Sequence, residues 1–421
     1  MRVNKLLPVS MVFSFLVPII GLIMSFLSLD KKSMNRIPFM LISLFYFFIL
    51  IKTPPLGDLY RRYLEISEYN RNTNILEIIS QHPDVLLYIH GYIFQYLNIP
   101  FFFIPAIYGA VMTYFYMASF RNMILSDTDY SGESTKCKGF IFTHVIVFSA
   151  LNILNLILGI RYGAAMVFII YAITCFYSRS KTRFAVFSCL SLLMHFSMIF
   201  ILICFFGSRY IKIKKIYIIP LIFIFYFLSS FVLRSVLPGI SFMGVGDYAM
   251  GGYVDGVWSE IPTDTNTLIL AYLSRGLGII ALFFYLKDKN EVLVIDRFLN
   301  FVIPACFIMS ISYTALNRYI NIAQAFLMLR VCYMYISNSN LYSQLRVISN
   351  KTLSLLRYYL LAFAILSMVI INVYTQRRTL IMGGGGYIPI PVLFFFLITA
   401  LMILNYILKI LIMMATGLRN K

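Results

Sequence analysis

Two arginines, Arg161 and Arg318, each interrupt a 39-residue stretch that is otherwise almost wholly apolar, Phe140 to Ser178 and Phe298 to Ile336. A guanidinium stays charged in a low-dielectric setting, and its planar fork grips phosphate oxygens in pairs. Placed where lipid-linked phosphates lie, it suits a reaction that expels a diphosphate, because that leaving group needs its charge stabilised more than it needs a proton. The plainer alternative for either arginine is snorkelling to ordinary lipid phosphates. An attacking hydroxyl needs an acceptor for its proton. Asp58 fits by position, with N-capping of the segment Leu59 to Ser67 as the alternative. His195, at the centre of an apolar segment, is the second candidate, with an interhelical hydrogen bond as its alternative.

A further group lies in the loop 236–266. From Pro238 to Thr265 it has no Lys or Arg but carries Asp247, Asp255, Glu260 and Asp264 among Tyr248, Tyr253 and Trp258. Aromatic faces stack on sugar rings and carboxylates accept bonds from sugar hydroxyls, so Asp255, Trp258 and Glu260 are candidate substrate contacts. Either acid is also a rival to Asp58 as base. An interfacial aromatic belt on a flexible glycine-rich loop is the alternative. Tyr60, Arg61 and Tyr63 beside Asp58, and Arg377 and Arg378 beside Gly383 to Gly386, complete the candidate binding set.

The elements that must hold these residues are membrane helices. Of 421 residues, 61% are hydrophobic and 12% charged, against about 25% charged in soluble domains, and mean hydropathy is +0.85. A hydrocarbon core takes about 20 apolar residues per helix, so each arginine-bearing stretch must fold as two crossings with the cation at the turn. Eleven crossings are expected: Lys5 to Leu27, Ile37 to Ile51, Phe101 to Phe120, Phe140 to Leu158, Tyr162 to Ser178, Ile216 to Leu233, Leu268 to Leu286, Phe298 to Leu316, Tyr319 to Ile336, Leu355 to Tyr374 and Val392 to Met413. The polar segment 53–98 is expected outside the cell, with Pro83 to Leu97 as an amphipathic helix on the surface. The chain forms a single all-α transmembrane domain over 1–421, with no separate water-soluble unit.

The net charge of +19 would suit nucleic acid in a soluble protein, but here the Lys and Arg cluster in short loops between apolar runs and report topology instead. They also decide how Arg183 to Phe206 behaves. If this segment dips in and returns to the same side, 20 Lys and Arg fall in cytoplasmic loops and 12 opposite; if it crosses, the balance becomes 14 inside and 18 outside. The positive-inside rule favours a re-entrant pair of half-helices with His195 at its centre. Asp127 and Asp129 form a solvated turn. The four histidines and six cysteines show no ligand spacing, so neither a metal nor any other cofactor is expected.

With these residues placed, the chain resembles the Wzy-type O-antigen polymerases and EpsG-like polysaccharide polymerases of bacteria. The matching elements are Gly57, Asp58, Tyr60 and Tyr63; Pro83; Gly159, Ile160, Arg161 and Ala165; His195 with Ser197; and Asn317, Arg318 and Tyr319. Leu59 separates Asp58 from Tyr60, and His82 precedes Pro83 where the family carries an acid. The resemblance implies a GT-C-like membrane glycosyltransferase of the bacterial inner membrane. It would move a growing glycan from undecaprenyl pyrophosphate onto the next lipid-linked repeat unit without a metal, within O-antigen or lipopolysaccharide assembly. Its partners would be those lipid-linked donors and acceptors, membrane lipid and a chain-length regulator, with no nucleic acid. A lipid-linked oligosaccharide flippase and an O-antigen ligase are the competing functions; a transporter is expected to show an internal repeat and a charged midplane cavity, and neither is visible.

Overall fold

The computed structural model describes residues 6–29, 36–51, 55, 57–70, 73–82, 84–125, 138–239, 246, 250–256, 265–287 and 294–337. Among them the chain is all-helical. The crossings expected at Leu355 to Tyr374 and Val392 to Met413 lie outside the described residues, as do Trp258, Glu260, Arg377 and Arg378.

The opening apolar run is not the single crossing expected. It forms α1 (Leu6–Leu16) and α2 (Pro18–Leu27), broken where Pro18 removes a backbone donor and bars helical geometry at Val17. The helices fold back on one another through small residues: a Cβ added to Gly21 would come within 2.3 Å of the Ser14 backbone, and Ser10, Ser14 and Ser25 are buried. At about 1.5 Å per residue, neither arm spans a hydrocarbon core of about 30 Å.

Next come α3 (Ile37–Leu50), then the polar α4 (Asp58–Ser67), α5 (Ile75–Gln81) and α6 (Val85–Tyr96), and the long apolar α7 (Phe103–Leu125). On α6, expected to be amphipathic, Tyr88 is buried while Ile93 and Tyr96 are exposed. Gly91 gives α4 its seat, since a Cβ there would meet Ile66 at 2.7 Å.

The expected crossing Phe140 to Leu158 is interrupted. Helix α8 (Lys138–Ala150) ends before Asn152, whose side chain accepts the Asn155 N–H at 2.9 Å and restarts the chain as α9 (Ile153–Leu158). Gly159 then turns it into α10 (Ile160–Tyr177). This turn needs a bare Cα at Gly163, where a Cβ would lie 2.4 Å from the Leu156 carbonyl oxygen. Helix α10 is the central pillar, buried continuously from Tyr162 to Cys175.

Helices α11 (Lys181–Met194) and α12 (Ile199–Tyr210) form a splayed pair that turns back at a 3-10 turn, Phe196–Met198. Their far ends meet: the Phe184 ring lies 5.3 Å from Phe205, Phe176 at the end of α10 lies 5.2 Å from each, and the Arg209 guanidinium stands 4.7 Å from the Phe176 ring. The segment from Lys181 to Tyr210 therefore starts and finishes at one end of the bundle and carries His195 to the other.

Three helices complete the described chain after α13 (Ile218–Val236): α14 (Thr265–Lys287), α15 (Val294–Ala305) and α16 (Tyr313–Ser337). The expected turn at residues 316–318 falls earlier. A 3-10 segment, Cys306–Met309, tightens the chain after Pro304, and Ser312 accepts the Ala315 N–H, so α16 already starts at Tyr313. Arg318 consequently lies inside a helix rather than on a turn. Near the Phe176 end, Arg330 grips Asp296 with two bonds of 2.6 and 2.9 Å, both side chains 2% exposed, which fixes α16 to α15. Three of the described helices are long and apolar enough to cross a membrane, Phe103–Leu125, Ile160–Tyr177 and Lys215–Val236, with several shorter apolar helices around them.

Candidate functional site

The end of the bundle opposite the Phe176 cluster gathers most of the described candidate residues around the turn His195–Met198. Arg161 arrives in the first turn of α10, where Gly159 directs it. Its Nη1 donates to Asp84 at 3.3 Å, and its Cζ lies 5.9 Å from the Tyr88 ring centre. The other oxygen of Asp84 accepts the Phe196 N–H at 2.7 Å. Asp84 thus ties Arg161 to the tip of the α11/α12 pair. Burial pushes the Asp84 carboxyl above the usual carboxylate range; the Phe196 N–H and the charges of Arg161, Arg62 and Arg318 pull the other way without overcoming it.

His195 caps that same turn. Its Nδ1 receives the Ser197 N–H at 3.3 Å and lies 2.8 Å from the Ser197 hydroxyl, while the ring stands edge-on to Tyr162 at 6.1 Å. The tip is held from two more sides: the Tyr319 hydroxyl donates to the Ser197 carbonyl at 3.0 Å, and the Ser191 hydroxyl to the Ala165 carbonyl at 2.7 Å.

Arg318 reaches the same region from α16. Its Nη1 donates to the Tyr253 hydroxyl, and its Cζ lies 5.5 Å from the ring centres of both Tyr162 and Tyr253. The Tyr162 hydroxyl donates to the Arg318 carbonyl at 2.5 Å. Arg161 and Arg318 both act electrostatically on Asp84 and on His195, so the two cations share one end of the molecule.

Asp58 opens α4 as its first helical residue. Gly57, at φ +59°, makes the cap position with no side-chain bond. The Asp58 carboxylate instead pairs with Arg61 at 2.5 Å and Arg62 at 3.4 Å, so capping is not its role. Burial raises its carboxyl pKa, but the Arg61 hydrogen bond and the charges of Arg62, Arg161 and Arg61 outweigh that and leave it below the usual range. Arg62 is buried, donating to Glu65 and to the Tyr88 hydroxyl at 2.5 Å each, and His82 stacks on Tyr88 at 3.7 Å. Burial first, then the Arg161 and Arg62 charges, depress the His82 imidazole, with Glu65 opposing them.

Other candidates stand apart. Tyr60 is exposed and lies 6.2 Å from Tyr63, which packs on Phe101 at 5.1 Å. Asp255 forms an exposed ion pair with Arg234 at 2.8 Å and does not meet Arg318; Tyr253, two residues earlier, does.

Sequence reasoning gave no role in the site to Asp84, Arg62, Tyr162 or Tyr253. For Asp84 a signal was present, the carboxylate displaced to the far side of Pro83, but its partners are 77 and 112 residues away. A family model for the EpsG family matches residues 57–379, a span that contains every residue of this cluster. No curated protein and no solved structure gives a match.

Proposed function

Because the chain belongs to the EpsG family of polysaccharide polymerase-like membrane proteins, we propose that it polymerises undecaprenyl-pyrophosphate-linked repeat units into O-antigen or a related surface polysaccharide. In this reading the His195 end faces outward from a multi-pass, GT-C-like protein of the bacterial inner membrane, and the end with Arg179, Arg183 and Arg209 faces the cytoplasm. The observation that carries it is the attachment of Arg161 and Arg318 to one re-entrant tip, through Asp84 on one side and through Tyr162 and Tyr319 on the other.

In the reaction, an acceptor hydroxyl oxygen bonds to the anomeric carbon of the donor glycan. The carbon–oxygen bond to the diphosphate breaks, and its electron pair stays on the phosphate oxygen. Guanidinium groups stabilise that charge as it forms. Asp58, held ionised by Arg61 and Arg62, accepts a hydrogen bond from the hydroxyl and orients it; the released proton passes to water. Tyr60, exposed beside it, offers a ring face to a sugar.

The test is complementation of a polymerase-deficient strain that makes the matching repeat unit. A ladder of chain lengths supports the proposal, and a single-unit product despite membrane-inserted protein rejects it. Arg161→Ala and Arg318→Ala should abolish the ladder, with Lys restoring part of it. A reporter fused after Gly207 should remain cytoplasmic.

A further inference from the structure

Three of the buried or half-buried described arginines have a carboxylate. Arg161 has Asp84, Arg62 has Glu65 and Asp58, and Arg330 has Asp296. Arg275 and Arg318 have none among the described residues. Among the described residues the Arg318 guanidinium meets the Tyr253 hydroxyl and two tyrosine faces. Arg275, on α14, has a buried Nη1 with no hydrogen-bond partner among the described residues, and it interacts electrostatically with Tyr313 and with Tyr162, the residue over which Arg318 sits.

Helix packing places the two heads at one level. Helices α14 and α16 run in the same direction: Gly278 abuts Gln324, where a Cβ would lie 3.0 Å from the amide oxygen, and further on the Tyr285 hydroxyl donates to the Asp296 carbonyl beside Arg330. Arg275 is one turn before Gly278 on the same face. Helical side chains lean toward the N-terminus, so its head points toward the level of Arg318.

A cation withdrawn from water without a counter-ion is costly, and within an apolar helix such a group marks a ligand site. We infer that Arg275 and Arg318 together form the seat for a phosphate-bearing anion beside Tyr162, and that Arg161, already neutralised by Asp84, serves chiefly to anchor the re-entrant tip. The inference rests on the polymerase reading for the identity of the anion, the diphosphate of a polyprenyl carrier; a bilayer phosphate headgroup has the same chemistry.

The test uses the full chain in phosphatidylcholine nanodiscs with undecaprenyl pyrophosphate as probe. Arg275→Gln and Arg318→Gln should each raise the Kd about tenfold, the loss of one charge-assisted contact, while Arg161→Gln should change it less. A Kd within twofold of the parent for Arg275→Gln, alongside weakened binding by Arg318→Gln, overturns the role of Arg275 and leaves the proposed function standing. Phosphatidylglycerol competing as well as the prenyl diphosphate assigns the seat to ordinary lipid and overturns the carrier assignment. Should Arg275→Gln not accumulate, Arg275→Lys keeps a charge that titrates. Its affinity should fall as pH approaches the ordinary lysine value of about 10.4 while the parent stays flat, and a flat Lys profile overturns the inference. Complementation by the parent chain is scored separately, so its failure would remove the polymerase reading without deciding the binding result.

Discussion

The Tyr162 hydroxyl donates to the Arg318 carbonyl at 2.5 Å, joining the first turn of α10 to α16 across 156 residues of chain. Because Arg161 is the neighbour of Tyr162, this bond sets the spacing of the two arginine-bearing segments. Tyr162→Phe removes the second bond of a carbonyl already held in the helical ladder of α16, a loss of about 0.5–1.5 kcal/mol. Polymer output should fall about tenfold or more while membrane level stays near normal; glycan ladders and a thermal melt of purified protein measure the two separately.

Asp84 supplies a pH signature. Its carboxyl pKa is raised in the folded protein, chiefly by burial, so protonation is favoured by folding: the group stabilises the protein at low pH, and that contribution is lost as pH rises through the raised value. Activity runs the opposite way, since a protonated Asp84 releases Arg161. The acid limb of the rate profile should therefore lie above the ordinary aspartate value of about 3.9. In Asp84→Asn, which keeps an acceptor for the Phe196 N–H, that limb should disappear and the rate fall; an unchanged limb assigns it elsewhere.

Asp58 has the reverse sign. Its depressed pKa gives stability present above the usual aspartate value and lost as pH falls through the folded one, because Arg61 and Arg62 favour the ionised form. Asp58→Asn should flatten the low-pH part of a stability profile recorded by denaturation and lower turnover at neutral pH.

At the other end, Asp296→Ala takes from the buried Arg330 the carboxylate that grips it, with an expected cost of about 3–5 kcal/mol. Replacing both by Leu and Met should restore most of that stability. Since neither residue touches the site cluster, turnover per folded molecule should recover with it, measured as activity normalised to protein in the membrane.

Composition and apolar run lengths were enough to show an all-helical protein with buried arginines, because hydropathy is summed over many residues and survives local error. Loop charges led to the expectation that Arg183 to Phe206 returns on itself, and the chain does double back at Phe196–Met198. What the run lengths hid was where helices break. Pro18, Asn152 and Ser312 end apolar runs through hydrogen bonding and backbone geometry, so the first segment doubled back and Arg318 moved from a turn into a helix. Asp84 and Tyr253 were hidden for another reason. Their significance lies in contacts 65 to 112 residues away, and the local marks, an acid just past Pro83 and a tyrosine in an aromatic loop, do not name those partners.

The doubled-back α11/α12 pair also bears on how the protein is made. Arms of 14 and 12 residues are each too short to be accepted as a span by the insertion machinery, and both outer ends carry arginine. On the proposed topology they enter the bilayer as one hairpin, once α10 has been laid down to receive them, so the tip meets Arg161 only when both arms are in place.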